Sequence, residues 1–445
     1  MRTWPRGGLW RHPDFLRLWS AETISRFGSE ISGLALPIVA IVVLQESAFK
    51  VALLATIEFL PFILFTLPAG VWVDRLPRKP ILVAADLGRA LALASVPLAY
   101  AFDSLTIWQL YAVGFVVGIG TVFFDVAYQS YLPSLVARTQ LVEGNSKLEV
   151  SRSASQIGGP GAAGGLIALA TAPVAVLLDA ISFVVSALFL FRIRLREVVP
   201  EREGPRRSPF EGMKGEVREG LRFVLGHPHL RAIVACTGSS NFFSTFMFSI
   251  FLVYAVREVG LSAGVIGIVF ALGNLGFLAG ALSANRISER LGVGPTIVGS
   301  AVLFGPALLL VPLAPAGIEE PFFVAAFALV GFAAVIYNIT QLSYRQAICP
   351  ERMQGRMNSV IRFVVWGTIP LGSLAGGALA SAFDLRTAIW VGAIGNLFTF
   401  VPLLFSSLRS LERLPEQVEE PLPSGAEATG GIAAPPGTPA APADR

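Results

Sequence analysis

Among the ionisable residues inside long apolar runs of this 445-residue chain are Glu22, Arg26 and Glu30 in one run and Glu58 in the next. A charge at mid-bilayer depth costs several kcal/mol unless it is paired, so residues so placed are candidates for taking up and releasing protons or cations. Glu22, Arg26 and Glu30 are spaced i, i+4, i+8, which predicts one stripe along a helix face. Ser25, Ser29 and Gly33 keep neighbouring positions small or polar, so the stripe is expected to face a wet central cavity. A rise of about 1.5 Å per residue puts Glu30 near the middle of its run. Two readings follow. Glu30 and Glu58 alternate between binding protons and attracting a cationic substrate while Arg26 balances their charge, or Glu22, Arg26 and Glu30 form a fixed salt-bridge ladder. The other embedded acids, Asp125 and Asp179, also precede residue 180, whereas the later runs offer Asn241, Asn274, Asn338, Gln341 and Asn396. Any coupling is therefore expected in the first half.

The elements that hold these residues follow from composition. The chain is 54% hydrophobic and only 14% charged, against about a quarter charged in soluble domains. That balance excludes a soluble or disordered chain. Two cysteines, Cys236 and Cys349, exclude a disulfide scaffold and lack metal-ligand spacing. A membrane-spanning helix needs roughly 17–25 mostly apolar residues. Twelve such runs are predicted, near 16–44, 50–73, 80–101, 107–131, 146–170, 174–192, 232–256, 262–284, 293–314, 321–343, 357–381 and 387–408. Barrel strands would alternate over about ten residues, and none do. With both termini inside, 27 of the 34 basic residues fall on inner segments and three (Lys50, Arg257, Arg386) on outer ones, which sets the orientation. The basic residues mark membrane sidedness, so the net charge of +4 is no nucleic-acid footprint. Met1 to Trp19 carries four arginines and no cleavage pattern, so no signal peptide is expected there.

The predicted organisation is an N-terminal six-helix half (1–192), a central inner loop (193–231), a C-terminal six-helix half (232–409) and a disordered tail (410–445). Phe210, Met213, Val217, Leu221, Phe223 and Val224 recur at helical spacing in the loop. They predict a helix lying on the inner membrane surface or packed between the halves. Gly70 recurs as Gly280, Arg152 as Arg362 and Pro160 as Pro370, all at an offset of 210 residues. Small residues follow both prolines, Gly164-Gly165 and Gly376-Gly377. Three matches at one offset imply two parallel structural repeats. The run Gly158-Gly159-Pro160-Gly161 to Gly165 is expected to bring span 5 close to a neighbour, with the proline supplying a bend.

Gly70-Val-Trp-Val-Asp74-Arg75-Leu-Pro-Arg78-Lys79 resembles the loop 2–3 signature of the major facilitator superfamily, G-x-x-x-D-R-x-G-R-K, and the 6 + 6 layout agrees over nearly the whole chain. Phe15-Leu-Arg-Leu-Trp19, Leu60-Pro-Phe, Phe124-Asp125 and Gly159-Pro160 are similar to the drug-antiporter branch, which includes macrolide-efflux-like and enterobactin-exporter-like proteins. Three departures qualify the match. Pro77 replaces the inner glycine, the second copy (Gly280 to Arg286) lacks the aspartate, and Gly114 stands where many proton antiporters carry an arginine ahead of Gly118-x-Gly120. The resemblance implies that Asp74 meets the start of span 11 and that Arg78 pairs with Asp125, together gating the inner side. Arg75 and Lys79 are also expected to anchor that side. Asp86 and Arg89 are expected to form a local packing pair.

The resemblance and the embedded charges together imply a monomeric secondary transporter of the inner cell membrane, exporting a hydrophobic or amphiphilic small molecule in exchange for protons. No ATP-binding loop is present in the sequence, and no cofactor, metal centre or enzymatic activity is expected. Import of a small metabolite on the same fold, or a receptor or scaffold without flux, are the alternatives.

Overall fold

The computed structural model describes residues 8–73, 76–137, 140–195, 213–349 and 351–412, and every regular element among them is helical. Helix α1 (Pro13–Ile38) starts at His12, whose ring accepts the Phe15 N–H at 3.1 Å, and winds into a π turn at Val39–Val43. There follow α2 (Ala48–Val73), α3 (Arg78–Ala101), α4 (Ile107–Leu135), α5 (Leu141–Leu169) and α6 (Ala172–Phe191). A shorter α7 (Met213–Gly226) leads to α8 (Pro228–Arg257), α9 (Ala263–Leu291), α10 (Val293–Leu313), α11 (Glu319–Ile348), α12 (Glu351–Ala382), α13 (Leu385–Leu397) and α14 (Val401–Leu404). Polar caps set several starts: Thr106 accepts from Gln109 N, Ser262 from Val265 N and Asp384 from Thr387 N, each satisfying a backbone donor the helix leaves open. The Thr387 hydroxyl and backbone amide hold the exposed Asp384 carboxyl below its usual range.

Among the described residues, eleven helical stretches are long and apolar enough to cross a membrane. The predicted fifth span is present as the 29-residue α5 but is not among them. Its first half carries Lys147, Glu149, Arg152 and Gln156, which dilute its hydropathy. The predicted twelfth span is interrupted. Residue 402 is proline and cannot donate back to Phe398, so α13 stops and a four-residue α14 follows the turn. His229 sits in the first turn of α8, with its ring against the Tyr344 hydroxyl and 2.7 Å from Ser407 Oγ. The central-loop helix is α7; it packs on α12 and α8, with Val224 buried beside Met353 and Met357. Residues 196–212 and 413–445, which include part of the predicted loop pattern and most of the predicted tail, lie outside the described residues.

Packing repeats along the chain. α1 contacts α5 and α6 as α8 contacts α12 and α13; α3 contacts α4 and α6 as α10 contacts α11 and α13; α2 contacts α4 as α9 contacts α11. The two sets meet through α2 on α12 and α5 on α9, again a matched pair. At the end bearing the α1–α2 and α8–α9 turns, one apolar core joins both sets, with Leu36, Val51 and Val176 in the same cluster as Phe251, Val269 and Phe323. At the opposite end the core divides into separate N-terminal and C-terminal clusters.

Candidate transport site

Within the N-terminal set, α1, α2, α3, α4 and α6 enclose a cavity of about 220 Å³. Four carboxylates (Glu22, Glu58, Asp125, Asp179) and two guanidiniums (Arg26, Arg89) line it, with Ser25, Ser29, Ser32 and Thr121. Arg26 Nε donates to Glu22 Oε1 at 2.5 Å, and its Nη2 reaches Asp125 Oδ1 at 3.4 Å. Arg89 pairs with Asp86, whose other oxygen accepts from Ser186 at 2.6 Å, and its guanidinium lies over the rings of Phe124 and Phe183 at 4.6 and 4.0 Å. The expected Asp86–Arg89 pair thus exists, but its arginine also faces the cavity. Asp179 accepts from Ser182 at 3.0 Å.

Glu58 differs from these. Its Oε1 is buried and has no hydrogen-bond partner among the described residues. Room for it comes from α4: a Cβ on Gly114 would lie 2.7 Å from Glu58 Cγ, and one on Gly118 would lie 2.6 Å from the Glu58 carbonyl oxygen. At Gly114, where the antiporter motif leads one to look for an arginine, the Glu58 side chain of α2 folds over the glycine.

Glu30 does not line this cavity. It packs against α5, where a Cβ on Gly159 would meet the Glu30 Cβ at 2.4 Å. Positions i, i+4 and i+8 advance about 40° per step on a helix of 3.6 residues per turn, so the ends of the predicted stripe diverge by about 80°. Glu22 and Arg26 point inward and Glu30 turns toward α5. The ladder is therefore Glu22–Arg26–Asp125, closed across helices rather than along one.

The loop signature is partly outside the described residues, which exclude Asp74 and Arg75. Arg78 opens α3, Lys79 donates to the Ile193 carbonyl at 2.6 Å, and a Cβ on Gly70 would meet none of the described residues within 4 Å. The partner of Asp125 here is Arg26. Of the span 5 run, Gly164 makes the close approach: a Cβ there would lie 2.5 Å from the Ala263 carbonyl and 2.9 Å from Gly267 Cα, and Pro160 O approaches Gly267. A Cβ on Gly165, expected to share that role, would meet none of the described residues within 4 Å. Arg152 is exposed, 3.8 Å from Glu149, and its repeat counterpart Arg362 lies 5.2 Å over Trp366. Pro370 is buried within α12.

Two features carried no strong sequence signal. Arg257, at the end of α8, donates through Nη2 to the carbonyls of Glu46 (2.6 Å) and Ile41 (3.3 Å), tying the C-terminal set to the α1–α2 turn. Also across the two sets, Ser373 of α12 donates to the Ala52 carbonyl of α2 at 2.7 Å. A second, smaller cavity of about 120 Å³ lies among α8, α10 and α11.

Helices packed in a repeated pattern, a charged cavity within them and one sealed end define a multi-pass membrane transporter. A family model described as a transmembrane secretion effector (MFS_3) matches residues 9–427, and the chain belongs to that family of the major facilitator superfamily. It is 28% identical over 420 residues to the multidrug efflux pump Tap of Mycolicibacterium fortuitum, covering 90% of this chain and 98% of that protein. It is 24% identical over 412 residues to macrolide efflux protein A of Streptococcus pyogenes, covering 90% and 97%. Its fold resembles that of a bacterial homologue of the iron transporter ferroportin in its inward-facing state, with a TM-score of 0.71 at 20% identity over 88% of this chain and 98% of that one. The protein is a multi-pass cell-membrane protein.

Proposed function

We propose that this protein is a proton-coupled exporter of hydrophobic or amphiphilic small molecules, cationic ones above all, working by alternating access. The observation that carries this reading is Glu58: a carboxylate whose buried Oε1 has no hydrogen-bond partner among the described residues, in a cavity where carboxylates outnumber guanidiniums, within a chain whose relatives are named as multidrug and macrolide efflux pumps. A carboxylate withdrawn from water is stabilised by whichever cation reaches it, a proton or a substrate ammonium, and exchange between the two is antiport. Glu22, Arg26 and Asp125 form a paired background that keeps the remaining charge in place.

In this reading twelve helices, α1–α6 and α8–α13, form two six-helix halves with both termini cytoplasmic. The sealed end is then extracellular and the conformation inward-facing. The loop signature supplies the inner gate, with Asp74 at the start of α12 and Arg78 exchanging onto Asp125 when the inner side closes, which would free Arg26. The protein functions as a monomer.

The test is transport in proteoliposomes with tetraphenylphosphonium as the cationic probe. An imposed pH gradient should drive the probe against its concentration gradient, and Glu58→Gln should abolish the drive while the protein stays folded. A pH gradient without effect on wild-type flux would remove the coupling assignment, and the absence of any flux would favour a receptor or scaffold.

A further inference from the structure

The smaller cavity occupies the place in the C-terminal helices that the acidic cavity occupies in the N-terminal ones. Glu22 and Thr237 each lie nine residues into the first helix of their set, and Ser29 and Ser244 each lie sixteen residues in. At about 1.5 Å per residue the two stripes sit at equal depth. On α8 the stripe is Thr237, Ser240, Asn241 and Ser244, spaced i, i+3, i+4, i+7, so all four share one face. Tyr337 and Asn338 of α11 face them, and no residue lining the cavity carries a formal charge.

Some of these groups bond within the protein, and what they leave over is informative. The Thr237 and Tyr337 hydroxyls lie 2.8 Å apart. Asn241 spends its amide on the Val365 carbonyl at 3.2 Å, leaving Oδ1 to accept. Ser244 accepts from Asn396 at 3.1 Å, leaving its O–H to donate. Asn338 is exposed and makes no hydrogen bond with the described residues, so its amide offers two donors and an acceptor. Phe304, Leu308, Val330 and Ala334 supply the remaining walls. Such a pocket compensates no charge. It matches a group that both gives and receives hydrogen bonds, a hydroxyl, amide or hydroxyl-flanked carbonyl, and its small volume suits one such group rather than a whole molecule.

We infer that the C-terminal cavity is a neutral hydrogen-bonding subsite for an uncharged hydroxyl- or carbonyl-bearing part of the transported molecule. Resting on the export reading above, it makes the preferred substrates cationic amphiphiles whose other end is hydroxylated, with charge read by the N-terminal half and hydrogen-bonding pattern by the C-terminal half.

The experiment compares two cations binding to the purified full-length protein in lipid nanodiscs. Doxorubicin carries an ammonium and several hydroxyls and carbonyls; tetraphenylphosphonium carries charge and no hydrogen-bonding group. Asn338→Leu touches no hydrogen bond among the described residues and should weaken doxorubicin binding about tenfold, the scale of one or two lost hydrogen bonds, while tetraphenylphosphonium affinity stays within about twofold. Ser244→Ala should act in the same direction, and Glu58→Gln should weaken both probes. Equal weakening of both probes by Asn338→Leu, no weakening of either, or wild-type protein that binds neither would overturn the subsite. If the selective loss is seen but liposomes show no flux, the export reading fails and the subsite stands.

Discussion

α1 and α8 open corresponding helix sets and carry polar stripes at the same depth, yet one stripe is acidic and basic and the other wholly neutral. The N-terminal cavity is larger, and the Glu58 Oε1 there has no hydrogen-bond partner among the described residues. Its C-terminal counterpart is smaller and bonds part of its polar surface to itself, through Thr237 with Tyr337 and Ser244 with Asn396. A repeated architecture thus carries two chemistries. Groups whose charge can change line the N-terminal cavity, and the C-terminal cavity offers an electrostatically fixed surface.

The largest expected effect is on the charged side. Glu58→Gln should lower pH-driven flux on the order of a hundredfold, the counterpart of the roughly 3 kcal/mol associated with a mid-bilayer charge; near-normal drive would erase the division between the halves. Next comes the contact that joins them. Gly164→Val inserts side-chain atoms where a Cβ already meets Ala263 O and Gly267 Cα, an overlap worth about 1–3 kcal/mol. It should hold the α5–α9 end apart, raising labelling of an outer-facing cysteine reporter about tenfold and slowing turnover. Unchanged labelling would mean that the close approach is dispensable. Arg257→Met removes two charge-assisted hydrogen bonds, worth about 1.5–3 kcal/mol each when formed and less at a partly exposed position. A several-fold rise in the same labelling, with binding of both probes retained, is expected. Smallest is Glu30→Gln. Because Glu30 faces Gly159 rather than the cavity, pH-driven flux should change less than about threefold; a loss equal to that of Glu58→Gln would make α1, not α2, the seat of coupling.

Much of the fold was legible in the chain, because long apolar runs and matched glycine, arginine and proline positions survive any error of a few residues at a boundary. The polarity of α5 and the stop before Pro402 show what run-length alone omits. Within the site, Glu22, Arg26 and Glu58 were identifiable because embedded charge is conspicuous in an apolar segment. Their partners were less so. Arg26 reaches Asp125 across 99 residues of sequence, and the i, i+8 spacing hides the rotation that carries Glu30 away. Gly114 registered as a departure from a motif, and only the packing of α2 on α4 reveals that the space admits Glu58. Arg257 looked like one of three basic residues on outer loops, since its acceptors are main-chain oxygens that no side-chain pattern announces. The neutral stripe on α8 was readable at helical spacing, but serine and threonine in membrane helices also bond back to their own carbonyls, as Thr237 does to Ile233.

The acceptors of Arg257 are carbonyl oxygens, and carbonyl oxygens do not titrate. The clasp these contacts form therefore depends on the backbone geometry of the α1–α2 turn that presents those oxygens and on no partner side chain. In the export cycle proposed above, opening that end would break contacts to main-chain oxygens rather than to a carboxylate, and the clasp would set a threshold that the bound cargo overcomes.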